Sequence, residues 1–165
     1  MVGTSEDYRK EAETGCCKKL DPKKFEGKTI TWKKKRFVKD HITSLFHIPI
    51  NFGSVVKRTM KKIDVAKAFP KDPIWVSDEK SMWGSDVYFE VTKHVNEAEN
   101  VFLSGTFMTK VFEGPYKNIK SWIKEMEEYV KSKGKAPKNY YFFYTTCPKC
   151  AKHYGKNYVV IFAEI

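Results

Sequence analysis

The chain has 165 residues, 41% of them hydrophobic and 15% aromatic, with a formal net charge of +11. A chain of this length can bury a hydrophobic core, and twelve Phe, nine Tyr and four Trp exclude an intrinsically disordered protein. The longest apolar run, Tyr158–Ala163, is too short to span a bilayer, so we expect no membrane partner.

Residues 1–28 are predicted to form an extended N-terminal leader, followed by a single domain over residues 29–165. Residues 1–20 are polar and lack the apolar segment of a signal peptide, so the sequence favours a cytoplasmic protein. In that reducing compartment, the four cysteines are expected to be thiols or metal ligands and not disulfides.

The positive charge is carried mostly by lysine, because only three of the 31 basic residues are arginine. Base recognition in nucleic acids relies on the bidentate contacts of arginine, whereas lysine supplies mainly a point charge. The densest basic run, Lys33–Arg36, is typical of a hairpin turn, and no DNA-binding motif accompanies it. A solvated lysine-rich surface is therefore favoured over a nucleic-acid partner.

The first half of the domain, residues 36–95, is predicted to contain a strand, a helix and two further strands. The helix begins near Phe52 and ends near Ala68, since the prolines that follow cannot continue it. The strands are expected at Thr29–Trp32 and Phe37–Phe46 before the helix, and at Ile74–Val76 and Ser85–Lys93 after it.

The second half, residues 101–165, repeats this order, with a long strand over Val101–Phe112. The next helix has apolar residues on one continuous face, from Tyr116 to Val130, and it ends at Gly134. Strands at Tyr140–Thr146 and Asn157–Ile165 complete the chain. The two helices align at an offset of 63 positions, which places Ile63 on Met126, so we interpret the chain as a duplication.

These features predict an α+β fold. Two duplicated strand-helix-strand-strand units form an antiparallel sheet with both helices on one face. The duplication, the junction Gly114-Pro115-Tyr116 and Trp122 on the helix together resemble the GyrI-like, or gyrase-inhibitor-like, small-molecule-binding domains. The resemblance covers about residues 36–165. It implies a ligand cleft between the two halves, cationic or amphipathic organic ligands, and, in some members, hydrolase activity.

Side chains alternate between the two faces of a strand, so Tyr88, Glu90 and Tyr158 are expected on the face away from the helices. The predicted ligand-binding residues are Trp75, Trp83, Tyr88, Glu90, Tyr144 and Tyr158. Aromatic rings with one carboxylate would attract a cation. The alternative is that the rings are ordinary packing and that Glu90 is a solvated surface residue.

Glu90 and Glu113 are the candidate catalytic residues, because a buried acid working with a tyrosine can activate water. The resemblance places a ligand-contacting Glu near the penultimate strand, but residues 140–146 contain no acid; Glu113 and Glu164 are possible substitutes. The histidines, His41 among them, are assigned structural or surface roles.

Four cysteines form a second candidate site, with Cys147 and Cys150 in a Cys-x-x-Cys turn and Cys16 and Cys17 in the leader. Thiolates suit zinc, which prefers four tetrahedral ligands, and a site with four protein ligands is structural because no coordination position stays open. The alternative is a set of reduced thiols without a metal. Redox chemistry is disfavoured because Gly155 follows too closely for a sustained helix.

The sequence therefore predicts a cytoplasmic protein that binds a small organic molecule in an aromatic cleft, with a structural zinc ion. The alternative is a hydrolase on the same scaffold. The sequence contains no catalytic triad order, zinc-protease helix or phosphate-binding loop. Oligomeric state is not indicated by any pattern.

Overall fold

The computed structural model describes residues 3–46 and 48–165, so Met1 and Val2 of the predicted leader lie outside the described residues. The chain divides into two compact units. Unit 1 comprises residues 3–11 and 34–103, and unit 2 comprises residues 12–33 and 104–165. The boundaries of leader, domain and repeats given above stay predictions.

Four helices and seven strands make up the described residues. Two long strands run through both units: β1 (Lys28–Leu45) and β5 (Glu99–Glu113). The other elements of unit 1 are α1 (Ser5–Lys10), β2 (Ile48–Pro49), α2 (Phe52–Val65), β3 (Trp75–Ser81) and β4 (Gly84–Glu90). Those of unit 2 are α3 (Ile119–Ser132), β6 (Asn139–Tyr144), α4 (Pro148–Tyr154) and β7 (Tyr158–Glu164), with short 3-10 turns at Pro22–Lys24 and Tyr116–Asn118.

The predicted open sheet with both helices on one face is wrong. The hydrogen-bonded strand order is β2-β1-β4-β3-β6-β7-β5, and β1 also pairs with β5. Six antiparallel strands therefore close into a barrel, accompanied by four helices. The basic run Lys33–Arg36, predicted as a hairpin turn, lies inside β1. β1 is a single strand of 18 residues, and it pairs with β2, β4 and β5.

The core of unit 1 lies between α2 and the strands. Val55, Met60 and Ile63 recur at helical spacing and are buried on one side of α2. They join a cluster that includes Val38 of β1 and Phe89 of β4. Burial of this apolar stripe fixes α2 against the sheet.

The core of unit 2 is built in the same way. Trp122, Met126 and Val130 of α3 form one buried cluster with Val159 and Ile161 of β7. The alternation of side chains along β7 places these two strand residues on the helix side. α3 ends where Gly134 adopts a left-handed conformation, with φ of 71°.

The other face of β7 is filled by aromatic rings. The ring of Trp32 lies 4.4 Å from that of Phe107 and 5.4 Å from that of Phe162. All three residues are buried, as is Val160. Val160 and Phe162 alternate with the helix-side residues and share the face of Tyr158, which the sequence assigned to ligand binding. In unit 2 this face is packed around Val160 and Phe162.

No helix within the described ranges is both long enough and apolar enough to cross a bilayer.

Candidate functional site

The Cys-x-x-Cys motif lies at the beginning of α4. Cys147 is the N-cap of this helix, Pro148 occupies its first turn and Cys150 is buried one turn on. Residues three apart on a helix share a side, so the two thiols point the same way. The sequence predicted a turn with no room for a helix after it. A helix of seven residues forms there, because Gly155, with φ of 68°, ends it only after Tyr154.

Hydrogen bonds hold the segment that carries Cys16 and Cys17 against α4. The backbone N–H of Cys17 donates to Thr14 Oγ1 (3.3 Å), and the same hydroxyl lies 3.2 Å from Cys150 Sγ. The N–H of Cys147 donates to Cys17 Sγ at 3.5 Å, and the Tyr154 hydroxyl donates to the Cys17 carbonyl at 2.6 Å. These contacts position the leader thiols at the motif.

All four sulfur atoms lie within 4.8 Å of one another. The Sγ of Cys16 is 3.6 Å from that of Cys17 and 4.0 Å from that of Cys147. A tetrahedral ion with bonds of about 2.3 Å to sulfur requires sulfur–sulfur separations of about 3.8 Å. The four predicted ligands are therefore brought together, and they could hold a metal ion.

The thiols differ in acidity. Burial raises the pKa of Cys16 and Cys17. Burial alone would also raise the pKa of Cys150, but hydrogen bonds from Thr14 and from the neighbouring cysteines outweigh it and lower this pKa to about 7. Cys150 is therefore partly thiolate at neutral pH, which is the form that binds a metal.

Glu90 is a fixed carboxylate on β4. Its Oε1 accepts from Lys35 Nζ at 2.5 Å and its Oε2 accepts from the N–H of Ile74 at 2.9 Å. The side chain is 17% exposed. Phe37 lies directly opposite Glu90 in the β1–β4 register, and its ring is 6.3 Å from that of Tyr88. Tyr88 and Glu90 thus share one face of unit 1, together with an aromatic neighbour and a cation.

The two predicted tryptophans of unit 1 lie elsewhere. Trp75 is opposite Phe89 in the register, with their rings 5.1 Å apart, so it lies on the helix side of the sheet. Trp83 lies in the turn between β3 and β4 and is 56% exposed. Neither shares the face of Glu90.

The candidates of unit 2 are similarly divided. Tyr144 packs with the helix-side cluster, 5.0 Å from the ring of Tyr116. Tyr158 precedes Val159 of that cluster and therefore points to the opposite face of β7. Glu113 is opposite Tyr158 in the register and is exposed, with Oε2 3.2 Å from Lys156 Nζ. Within each unit, therefore, the structure divides the predicted residues between the two faces of the strands.

A histidine–carboxylate pair lines a cleft in unit 1 that no sequence pattern indicated. His41 Nδ1 lies 2.9 Å from Asp86 Oδ1, and the two residues are opposite each other on β1 and β4. The cleft has a volume of about 310 Å³ and is also lined by Lys39 and Arg58. Burial alone would raise the pKa of Asp86, but His41 and Lys39 outweigh it and lower that pKa. The pair is a second arrangement able to activate water.

Comparison with known proteins gives a family and a fold. Residues 7–165 match the family described as "Bacterial hydrolase". No curated protein shows a significant match.

Three similar solved structures come from Listeria innocua. One is an uncharacterized conserved protein, with 12% identity and a TM-score of 0.62. The other two are hydrolases, with 11% and 9% identity and TM-scores of 0.61 and 0.59. Each comparison covers 84% of this chain and 91% of the other. At these identities the likeness shows the fold alone.

Proposed function

Since the chain belongs to the bacterial hydrolase family, we propose that it hydrolyses a small amphipathic organic molecule, with Glu90 as the base that activates water. The main prediction from the sequence was a small-molecule-binding protein, with a hydrolase as the alternative, and the family match favours the alternative. The observation that carries the proposal is the Glu90 carboxylate, fixed by Lys35 and by the N–H of Ile74 on the same face as Tyr88.

The geometry suits water activation. Each carboxylate oxygen has two lone pairs, so Glu90 can accept a hydrogen bond from water in addition to those it already accepts. In the proposed step, the water oxygen forms a bond to an electrophilic carbon of the substrate while its proton passes to Glu90. The bond to the leaving group breaks, and the leaving group takes its proton from solvent. The ammonium of Lys35 stabilises the negative charge that develops in the transition state.

The aromatic neighbours suggest the substrate class. Tyr88 lies on the face of the Glu90–Lys35 ion pair, and the fully buried ring of Phe37 packs behind it. A substrate with an apolar body and one polar reacting group would match this combination. The finer resemblance to GyrI-like domains, with their amphipathic organic ligands, stays part of this proposal, as does a cytoplasmic location.

We assign zinc to the four cysteines. Thiolate ligands in a tetrahedral arrangement favour zinc over harder cations such as magnesium or calcium. Four protein ligands leave no position open for water, so the ion would join Cys16 and Cys17 to α4 and take no part in hydrolysis. Reduced thiols without a metal are the alternative.

Turnover of a panel of amphipathic esters and amides tests the proposed activity. We expect Glu90→Gln to lower kcat by about 100-fold or more, which is the usual contribution of a general base. Glu125→Gln removes the carboxylate from another lysine pair, with Lys110, and should leave kcat unchanged.

The outcomes separate the alternatives. Full activity in Glu90→Gln with loss in His41→Gln would transfer the role of base to the pair with Asp86. Loss only in Glu113→Gln would favour the other candidate from the sequence. A copurifying compound that the protein binds and releases unchanged would support the binding protein instead.

A further inference from the structure

Six large apolar side chains of unit 1 are exposed at the tips of two neighbouring hairpins and at the beginning of α2. Their exposed fractions range from 44% to 67%. We call them the tip surface: Leu45, Phe46, Ile50, Phe52, Met82 and Trp83.

The backbone joins the two hairpin tips. The N–H of Ser44 donates to the carbonyl of Trp83 at 2.8 Å, and the ring of Phe46 lies 5.3 Å from that of Trp83. The N–H of Ile50 donates to the carbonyl of Thr43 at 3.0 Å. Hydrogen-bonded backbone thus holds the two hairpin tips side by side, with the rings of Phe46 and Trp83 in contact.

Folding stability does not explain this surface. Phe46 has a φ of 48°, in the left-handed region that a bulky residue adopts only with strain. Its side chain is 64% exposed, so the strain is not offset by burial of the ring. A contiguous exposed apolar patch on a small protein is typical of a binding surface.

The charge around the surface indicates an anionic partner. Residues 41–63 contain four Lys or Arg and no Asp or Glu, whereas residues 78–86 of the other hairpin contain three acids. Two of these acids are paired with lysine, Asp78 with Lys80 and Asp86 with Lys39. Two of the four, Lys57 and Lys61, are exposed on α2, whereas Arg58 is bound by Asp40. The whole chain carries +11, so a second copy of the protein would be repelled.

We propose that the tip surface docks on an anionic lipid bilayer. Aromatic and aliphatic side chains would enter the interfacial region, where tryptophan in particular is favoured, and the lysines of α2 would lie near lipid phosphates. The sequence predicted no membrane partner because no segment is long enough to span a bilayer. A surface contact needs no such segment, and the tip surface exists only in the folded chain.

Vesicle sedimentation with the full chain tests the proposal, using phosphatidylcholine vesicles with or without phosphatidylglycerol. We expect binding to the anionic vesicles, weakening as salt is added because the charges are screened. Tryptophan emission should shift to shorter wavelength as Trp83 leaves water. The double variant Phe46→Ala/Trp83→Ala should lower the partition coefficient by about tenfold or more, since each ring loses its apolar contact.

Phe102→Ala is the matched control, because Phe102 is 53% exposed but lies outside the tip surface and contacts Arg36. If the double variant fails to fold, Ile50→Ser replaces it as the test. The Ile50 side chain is 67% exposed, so this variant should weaken binding without disturbing the Phe46–Trp83 contact. The proposal is overturned if the wild-type protein does not bind anionic vesicles. It is also overturned if the variants bind as tightly as wild type, because binding would then depend on charge alone. Self-association that the variants abolish would assign the surface to a second copy instead.

Discussion

The Sγ of Cys16 lies 4.0 Å from the Sγ of Cys147, although 131 positions separate the two residues in the chain. Thiol contacts of this kind are weak, and the two segments are also joined by hydrogen bonds that involve Thr14, Tyr154 and the N–H of Cys147. A metal ion bonded to both would hold the leader to α4 far more strongly.

Removal of the metal should therefore destabilise the protein. We expect about one zinc ion per chain by elemental analysis, lost in Cys147→Ser and in Cys150→Ser, together with a fall in Tm of several degrees on treatment with a chelator. Cobalt substitution should give the visible absorption of a tetrahedral thiolate site.

Thr14→Val tests the outer contacts of the same site. It keeps all four thiols but removes the hydroxyl that lies 3.2 Å from Cys150 Sγ, so metal affinity should fall by about 10- to 100-fold. A native preparation free of metal, with a Tm indifferent to chelators, would leave the cysteines as reduced thiols.

Gly84 should be intolerant of a side chain because β1 lies against it. A Cβ at this position would come within 2.5 Å of His41 Nε2 and 2.7 Å of the carbonyl oxygen of Ile42. The carbonyl belongs to the β1 backbone and cannot move cheaply, so Gly84→Ala should lower the free energy of unfolding by about 1–3 kcal/mol in urea titrations.

Gly53→Ala is the matched control for this substitution. A Cβ at Gly53, in the first turn of α2, would have no atom within 4 Å. Alanine there should leave stability unchanged or raise it by up to about 1 kcal/mol, because glycine is the less favourable residue in a helix. Equal stability of the two variants would show that the β1 backbone shifts to accommodate the added Cβ at residue 84.

Local periodicity was enough to predict the two long helices. The apolar stripe of α3 is one example, with Trp122 and Met126 buried as their spacing predicts. The closure of the sheet was not predictable in this way, because it depends on pairing between distant strands. Lys33–Arg36 shows the limit: a dense basic run is typical of a turn, but here it continues a strand.

The candidate sites also differ in how far the sequence alone could predict them. Thiolates are good metal ligands and Cys147 and Cys150 have the spacing of a Cys-x-x-Cys motif, so the sequence alone predicted a four-cysteine site. The Lys35–Glu90 and His41–Asp86 pairs are 55 and 45 positions apart, and they form only because of the β1–β4 register. A shift of one residue in that register would turn each partner to the other face.

One carboxylate of α2 attaches the N-terminal helix α1 to that helix. Asp64 accepts from the N–H of Ser5 at 2.6 Å and from its hydroxyl at 2.5 Å, and Ser5 is buried. Asp64→Ala would leave both donors without this acceptor, at a cost of about 1–3 kcal/mol. We expect faster proteolytic cleavage within residues 3–11 while α2 stays protected.

Glu6→Gln is the control for this substitution, because the Glu6 side chain is 76% exposed and pairs only with Lys10 among the salt bridges described. Its cleavage rate should equal that of wild type. Unchanged cleavage in Asp64→Ala would mean that the backbone hydrogen bonds between Gly3 and Phe69, together with the Tyr8–Phe69 ring contact at 5.4 Å, are enough to hold α1.

Asp40 should make stability depend on pH in the acid range. Burial alone would raise the pKa of Asp40, but hydrogen bonds from Arg58, Thr59 and the N–H of His41 outweigh it and lower the pKa to about 2. Because the folded pKa lies below the unfolded value near 3.8, the stabilisation is complete above about pH 4 and is lost as pH falls towards 2. It amounts to about 2 kcal/mol at neutral pH.

Asp40→Asn should therefore be less stable than wild type at pH 7 and should approach it near pH 2, as urea titrations across this range would show. Glu127→Gln breaks an exposed pair with Lys131, for which we expect a change of at most about 0.5 kcal/mol at any pH. A gap between Asp40→Asn and wild type that stays constant from pH 7 to pH 2 would contradict the assignment. It would mean that the substitution acts through packing around Thr59 and not through the charge of the carboxylate.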